Sequence, residues 1–279
     1  MDGNPSYPGA ELTPEAALAL LQWQAEMGAD EAMLDMPVDR FDLAEPAEPP
    51  RPAAAARATP SARPATPAGR PDDNPIEALV AEAARLAEAA ESLDQLAAAQ
   101  EAFDGVELKK GARNFVFADG DRRARVLILG EAPGDEEDRQ GRPFVGRAGQ
   151  LLDRMFAAIG LARDAVDAER ALYITNVLPW RPPGTRDPST EEMALMMPFV
   201  RRHVALVDPD IVVLMGNTPC QAALGRRGIL RLRGGWTEAF GKPALPMTHP
   251  AYLLRNPPAK REAWADLLSL AERLDAAPV

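Results

Sequence analysis

The feature that most constrains this chain is a fourfold alternation in its C-terminal half. Four short apolar runs, "RVLILG" (125–130), "ALYITNV" (171–177), "DIVVLMG" (210–216) and "ALPMTH" (244–249), are separated by stretches with helical spacing. The intervening "AGQLLDRMFAAIGL" is amphipathic, "STEEMALMMPFVRRHVALV" opens with a Ser/Thr cap followed by acids, and "TPCQAALG" starts another helix. "AKREAWADLLSLAERLD" supplies a last helix. Strands that are apolar throughout and joined by helices predict βαβ crossovers and a parallel sheet covered on both faces. Ligands of such sheets bind at the carboxyl ends of the strands. Here those ends carry Gly130 to Gly134, Asn176, Gly216 and Asn217, and His249 with Pro250.

Upstream of this block the chain changes character. "NPIEALVAEAARLAEAAESLDQLAAAQEAF" (74–103) reads as one helix with an Asn–Pro start. Residues 44–75 hold nine of the 28 prolines and few large apolar groups, so a disordered, Pro/Ala-rich linker is expected there. Residues 1–43 form an acidic segment whose 11–33 stretch has helical apolar spacing, with Thr13 as cap and Pro14 at the first helical position. The remaining region, 76–279, is expected to be the catalytic domain.

Net charge is −11, which argues at first against nucleic acid as a partner, but residues 1–50 alone contain eleven acids and one base. The rest is almost neutral, and "GRRGILRLRGG" (225–235) places four arginines in a segment with no acid. An acidic tail beside a patchily basic core is compatible with DNA binding. A single cysteine, Cys220, excludes a disulfide framework and a four-thiolate iron–sulfur cluster, and two histidines argue against a histidine-rich metal site. No apolar run approaches the roughly 20 residues of a membrane span, and the polar N-terminal stretch reads as neither a secretory signal nor a transit peptide. A cytoplasmic monomer is expected.

The densest chemistry lies in "LGEAPGDEEDRQGRPFVG" (129–146). Its tight start looks like a phosphate loop, yet Glu131 and Asp135 to Asp138 would repel a phosphate, and no Lys-Ser/Thr follows. No D-x-D or H-x-H spacing supports a divalent metal. Acids at a helix start are ordinarily solvated and favoured by the helix dipole. Phe144 would by default be core, but the glycines and Pro143 around it suggest an exposed turn presenting the ring for stacking on a base. A strand-end Asn176 ordinarily caps a turn, but its amide also suits a nucleobase edge. His249, just past a buried strand, could donate one N–H to a developing anion.

Taken together, "GEAPGDEEDRQGRPFVGRAGQLLD", "YITNVLPWRPPGTRDP" and "THPAYLLR" resemble a uracil-DNA glycosylase of the iron–sulfur family 4 type, over roughly residues 104–270. The resemblance implies a three-layer α/β/α sandwich with a central four-stranded parallel sheet, and hydrolysis of the N-glycosidic bond of deoxyuridine after the base is extruded from single- or double-stranded DNA. It implies Glu131, Asn176 and His249 as catalytic residues. Phe144 would stack on uracil, Asn176 would read its polar edge, and His249 would stabilise charge on uracil O2. Gly130, Ala132, Pro133 and Gly134 would line the base seat, with Glu137 excluding the thymine methyl. Pro250, Tyr252, Leu253 and Arg255 would form a loop entering the minor groove, Leu253 filling the vacated stack. Arg181, Arg231 and Arg233 are further candidates for DNA contact.

Two departures stand out. In the best-known glycosylase family an Asp activates water where this chain has Ala132. Glu131 is the nearest replacement, the alternative being a backbone-positioned water assisted by the leaving anion. Family 4 members also supply four cysteines; none occurs in 101–114, and the other two positions hold Trp180 and Met196. Hydrophobic packing is therefore expected where a cluster would sit, with no metal or cofactor. Three other readings stay open. One is a catalytically inactive DNA-binding or damage-sensing relative. A covalent uracil-trapping relative is the reading the sequence disfavours, since it would need a histidine in the 225–235 loop, which has none. The third is an unrelated nucleotide hydrolase on the same topology. Residues 11–43 are expected to dock on a partner protein.

Overall fold

The computed structural model describes residues 6–7, 10–11 and 75–276. Within the first 64 residues, Ser6–Tyr7 pairs antiparallel with Ala10–Glu11. The expected acidic helical element and Pro/Ala-rich linker lie otherwise outside the described residues.

The second unit is built on one sheet. Strands β1 (Ala118–Gly120), β2 (Val126–Gly130), β3 (Leu172–Asn176), β4 (Ile211–Met215), β5 (Thr237–Ala239) and β6 (Lys242–Met247) lie in the order β1-β3-β2-β4-β6-β5. The four apolar runs form the parallel centre, β3-β2-β4-β6. The expected four-stranded parallel sheet is nevertheless incorrect: the sheet is six-stranded and mixed, because β1 and β5 add antiparallel edges. Each edge strand has three residues and mostly partial exposure, so neither carries the apolar run that marks a buried strand. The β5–β6 hairpin turns through Phe240 and Gly241, both at positive φ (56° and 73°), the backbone of a tight type I′ connection.

Alternation along the central strands divides the core. Leu127, Leu129, Tyr173, Val212 and Leu214 face one side, packed with Val200 and Val204 of helix α5 (Thr190–Val207) and Cys220 of α6 (Asn217–Leu224). Val126, Ile128, Ile174, Val213 and Met215 face the other, against Leu152 and Phe156 of α4 (Arg147–Ala157) and Leu267 and Leu270 of α9 (Lys260–Ala276). Every residue of β2, β3 and β4 is buried, as two covered faces require.

The 74–103 stretch is two helices and not one. α1 (Pro75–Ala89) ends before Ser92, whose side chain caps α2 (Leu93–Ala102) by accepting the Gln95 N–H at 3.2 Å. α5 begins with a full capping box between Ser189 and Glu192. Among the described residues no helix is long and apolar enough to cross a membrane. The short helices α3 (Asp135–Gln140), α7 (Ile229–Leu232) and α8 (Pro250–Arg255) surround the carboxyl ends of the parallel strands or follow from them.

Candidate active site

The four parallel strands release their chains into one cleft of about 620 Å3, lined among others by Glu131, Phe144, Asn176, Thr218, His249 and Tyr252. The ladder continues past the strand ends: Val177 N–H donates to Gly130 O at 2.9 Å and Leu178 N–H to Glu131 O at 3.0 Å. This extra pairing holds the 131–134 turn beside Asn176. Ala132, Pro133 and Gly134 also line the cleft.

Asn176 is 6% exposed, and its Oδ1 is buried with no hydrogen-bond partner among the described residues. A buried amide oxygen left unpaired costs about 1–3 kcal/mol, so such an atom in a cleft points to a ligand that supplies the donor. Gly130 is its register partner on β2, and a Cβ there would collide with both Asn176 Oδ1 and the Phe144 ring.

His249 is fixed by the start of α8. Its Nδ1 accepts the Ala251 N–H at 3.1 Å, while Pro250 occupies the first helical position, where no N–H is needed. Burial lowers the imidazole pKa to about 4; the Arg255 charge adds to this and Glu137 opposes it. The ring is therefore neutral near pH 7, and with Nδ1 acting as acceptor its proton sits on Nε2. The expected "HPAYLLR" loop is thus a capped helix.

Phe144 packs against that imidazole, ring centroids 5.4 Å apart. The expected exposed turn does not occur. Phe144 is 6% exposed and belongs to the core beside Ile128, Leu152 and Met247, while its ring still lines the cleft. The surrounding glycines serve close packing: a Cβ on Gly149 would overlap the Phe144 carbonyl.

The acids divide by task. Glu131 and Glu137 line the cleft and make no ion pair among the described residues. Glu131 Oε2 accepts from Thr218 Oγ1 at 2.6 Å. Burial raises the Glu131 pKa, the Thr218 hydrogen bond opposes this, and Asp187 and Arg227 add smaller opposing influences. Glu137 Oε1 accepts the N–H groups of Val145 and Gly146, both at 2.9 Å, and its Oε2 stands 2.7 Å from where a Cβ on Gly134 would be. Asp135 pairs with Arg139 at 2.6 Å and Arg181 at 2.8 Å, and Glu136 pairs with Arg139 at 3.1 Å. Asp138 is buried and accepts the N–H groups of Arg113 and Asn114. Thr218 lies outside the three stretches that carry the resemblance and Asp138 is one acid among several within them, so only the fold reveals their parts.

The expected DNA contacts separate similarly. Tyr252, Arg255 and Arg181 line the cleft, and Pro250 is buried at the start of α8. Leu253, expected to fill the vacated stack, is fully buried against Leu151 and Ala263 in this structure. Arg233 is engaged elsewhere, bonding both carboxylate oxygens of Asp266 and the Glu262 carbonyl. Arg231 is exposed on α7 outside the cleft.

The two positions that the resemblance assigns to cluster cysteines, 180 and 196, hold packed side chains. Trp180 and Met196 are 3% and 0% exposed in a group with Phe103, Leu108 and Phe199; Phe115 lies 5.4 Å from Trp180, ring to ring. Gln100 Nε2 donates to Met196 Sδ at 3.5 Å. A four-thiolate iron–sulfur cluster does not fit this apolar corner. Among the described residues no group of three or more His, Cys, Asp and Glu is arranged to hold a metal ion.

A family model described as the uracil DNA glycosylase superfamily matches residues 117–268. The type-4 uracil-DNA glycosylase of Thermotoga maritima is 39% identical over 146 residues, covering 51% of this chain and 73% of the relative. That of Archaeoglobus fulgidus is 35% identical over 191 residues, 65% of this chain and 93% of the relative. A DNA polymerase of Bacillus phage SP01 is 30% identical over 156 residues, 56% of this chain but 16% of that protein.

Proposed function

The chain belongs to the uracil-DNA glycosylase superfamily, and from that membership we propose that it is a DNA repair glycosylase that hydrolyses the N-glycosidic bond of deoxyuridine, releasing uracil and leaving an abasic site. The observation that carries the reading is the unpaired, buried Oδ1 of Asn176 in one cleft with a neutral His249 and the Phe144 ring. Uracil N3–H is the donor that Oδ1 lacks, and O4 accepts from the same amide. Cytosine presents an acceptor at N3 and a donor at N4, the reverse of uracil, so the same amide would have to turn over to bind it.

The target nucleotide is extruded and its base stacks on Phe144. Bond cleavage separates a cationic sugar from a uracil anion. His249 Nε2–H donates to O2 as negative charge grows there, and a neutral imidazole does so without itself releasing a proton at neutral pH. Glu131 meets the opposite charge: its carboxylate, held at Oε2 by Thr218, stabilises the sugar cation and takes a proton from the water that adds to C1′, while the uracil anion departs and is protonated by solvent. Glu137 crowds a C5 methyl from its place above Gly134. Arg181, Tyr252 and Arg255 meet the DNA backbone at the rim, with Arg181 exchanging Asp135 for phosphate. A monomer suffices, and residues 11–43 are left as a docking segment for a partner protein.

The similarity to part of a protein named a DNA polymerase supports DNA as the working surface. The reading is tested by chromatography of the free bases released from matched duplexes carrying uracil or thymine at one site. Uracil alone should appear. Release of both, or of neither, rejects the assignment.

A further inference from the structure

Phe144 holds a left-handed backbone (φ 52°) that residues other than glycine rarely adopt, so something must enforce it. The residues from Pro143 to Gly146 are gripped in two pairs. Arg163 donates Nη1 to Pro143 O at 2.9 Å and Nη2 to Phe144 O at 2.8 Å. Glu137 then accepts the next two N–H groups, those of Val145 and Gly146. A cation holds two successive carbonyls and an anion holds the two amides that follow, each through charge-assisted hydrogen bonds.

Arg163 is itself held in place. Its Nε donates to Asp153 Oδ1 at 2.9 Å and its Nη1 to Asp119 Oδ2 at 3.0 Å, and its side chain is 13% exposed. Asp153 belongs to α4 and Asp119 to the edge strand β1. The guanidinium therefore ties the Phe144 segment to a helix and to the sheet at once. It does not line the cleft.

We propose that Arg163 is a positioning residue for base recognition: through the two carbonyls it fixes the Phe144 ring against His249, without touching uracil or DNA. This rests on the glycosylase reading of the cleft. A planar fork is needed to serve two carbonyls and two carboxylates together, so lysine, a point donor, is a partial replacement only.

The test is a double-mutant cycle on uracil-containing DNA with the full chain. Arg163→Gln should lower kcat/KM roughly 100-fold, as expected for a misplaced substrate-positioning ring, with Arg163→Lys intermediate. In a Phe144→Ala background Arg163→Gln should cost less than about 3-fold, since the ring it positions is gone. Losses that multiply in the double variant would overturn the proposal. A second readout does not need activity: amide hydrogen exchange in Arg163→Gln, or in Arg163→Lys if the first variant folds poorly, should accelerate at Val145 and Gly146 while the central strands stay protected. Unchanged exchange in that segment would equally overturn it. A wild-type protein that releases no base from any DNA would reject the glycosylase reading alone, and the exchange measurement would still decide the clamp.

Discussion

Gly130 and Asn176 face each other in register across two parallel strands, and the absence of a side chain on the first makes room for the amide of the second. The same missing Cβ makes room for the Phe144 ring. One glycine thus sets the position of both groups proposed to hold the base.

Gly130→Ala should consequently displace Asn176 and Phe144 together. The expected result is a fall in uracil excision of roughly 100-fold, because misplacing recognition groups by a fraction of an ångström is enough. Circular dichroism should show the fold retained, since the residue lies at a strand end.

The two histidines give a signed pH dependence. Burial holds His249 to about 4 and His203 to about 3, whereas a histidine in the unfolded chain titrates near 6.5. Below that value the unfolded chain takes up protons that the folded protein refuses. Their contribution to stability is therefore full above about pH 6.5 and is lost as pH falls toward 4. The urea midpoint should be lower at pH 5 than at pH 7. The NMR titration of the His249 ring should show no midpoint between 6 and 7, and the excision rate should carry no protonation loss from His249 in that interval.

Sequence patterning revealed those parts of the molecule in which neighbouring residues share one environment. Ile128, Ile174 and Val213 sit in runs buried on both faces, so the parallel centre was legible, and so was the location of the site at the strand ends. The edge strands were not, because Ala118–Gly120 and Thr237–Ala239 are defined by hydrogen bonding to a neighbour and not by apolar content. Asn176, His249 and Phe144 could be picked out by type and place. The exposure of Phe144 could not, since glycines mark a flexible turn and a tightly packed one alike. Five acids within eight residues look equivalent in sequence, yet Asp138 is buried, Asp135 pairs with two arginines and Glu131 faces Thr218. Arg163 was invisible because its partners at 143 and 144 are about twenty residues away and carry no complementary side chain.

The α8 segment offers a direct contrast between neighbours. Leu253 is fully buried, so Leu253→Ala should destabilise the protein by about 2–5 kcal/mol through the lost contacts and the cavity left behind. Tyr252 lines the cleft. Tyr252 is only partly buried against the same cluster, so Tyr252→Ala should lower the denaturation midpoint less than Leu253→Ala does and weaken binding to uracil-containing DNA, measured by fluorescence anisotropy.

The apolar corner should behave as core and not as a vacated metal site. Trp180→Ala is expected to cost about 3–5 kcal/mol in chemical denaturation, the range for removing a large buried aromatic. Incubation with an iron chelator should move neither the wild-type unfolding midpoint nor its rate of excision.

The most direct measurement of the central claim uses oligonucleotides with a single uracil, single- and double-stranded, incubated with the protein in EDTA and then treated with alkali to cut at abasic sites. The account predicts cleavage at the uracil position by the wild type, and rates lower by roughly two orders of magnitude or more for Asn176→Ala and His249→Ala. No cleavage by the wild type, or equal cleavage by the Asn176→Ala variant, would contradict it.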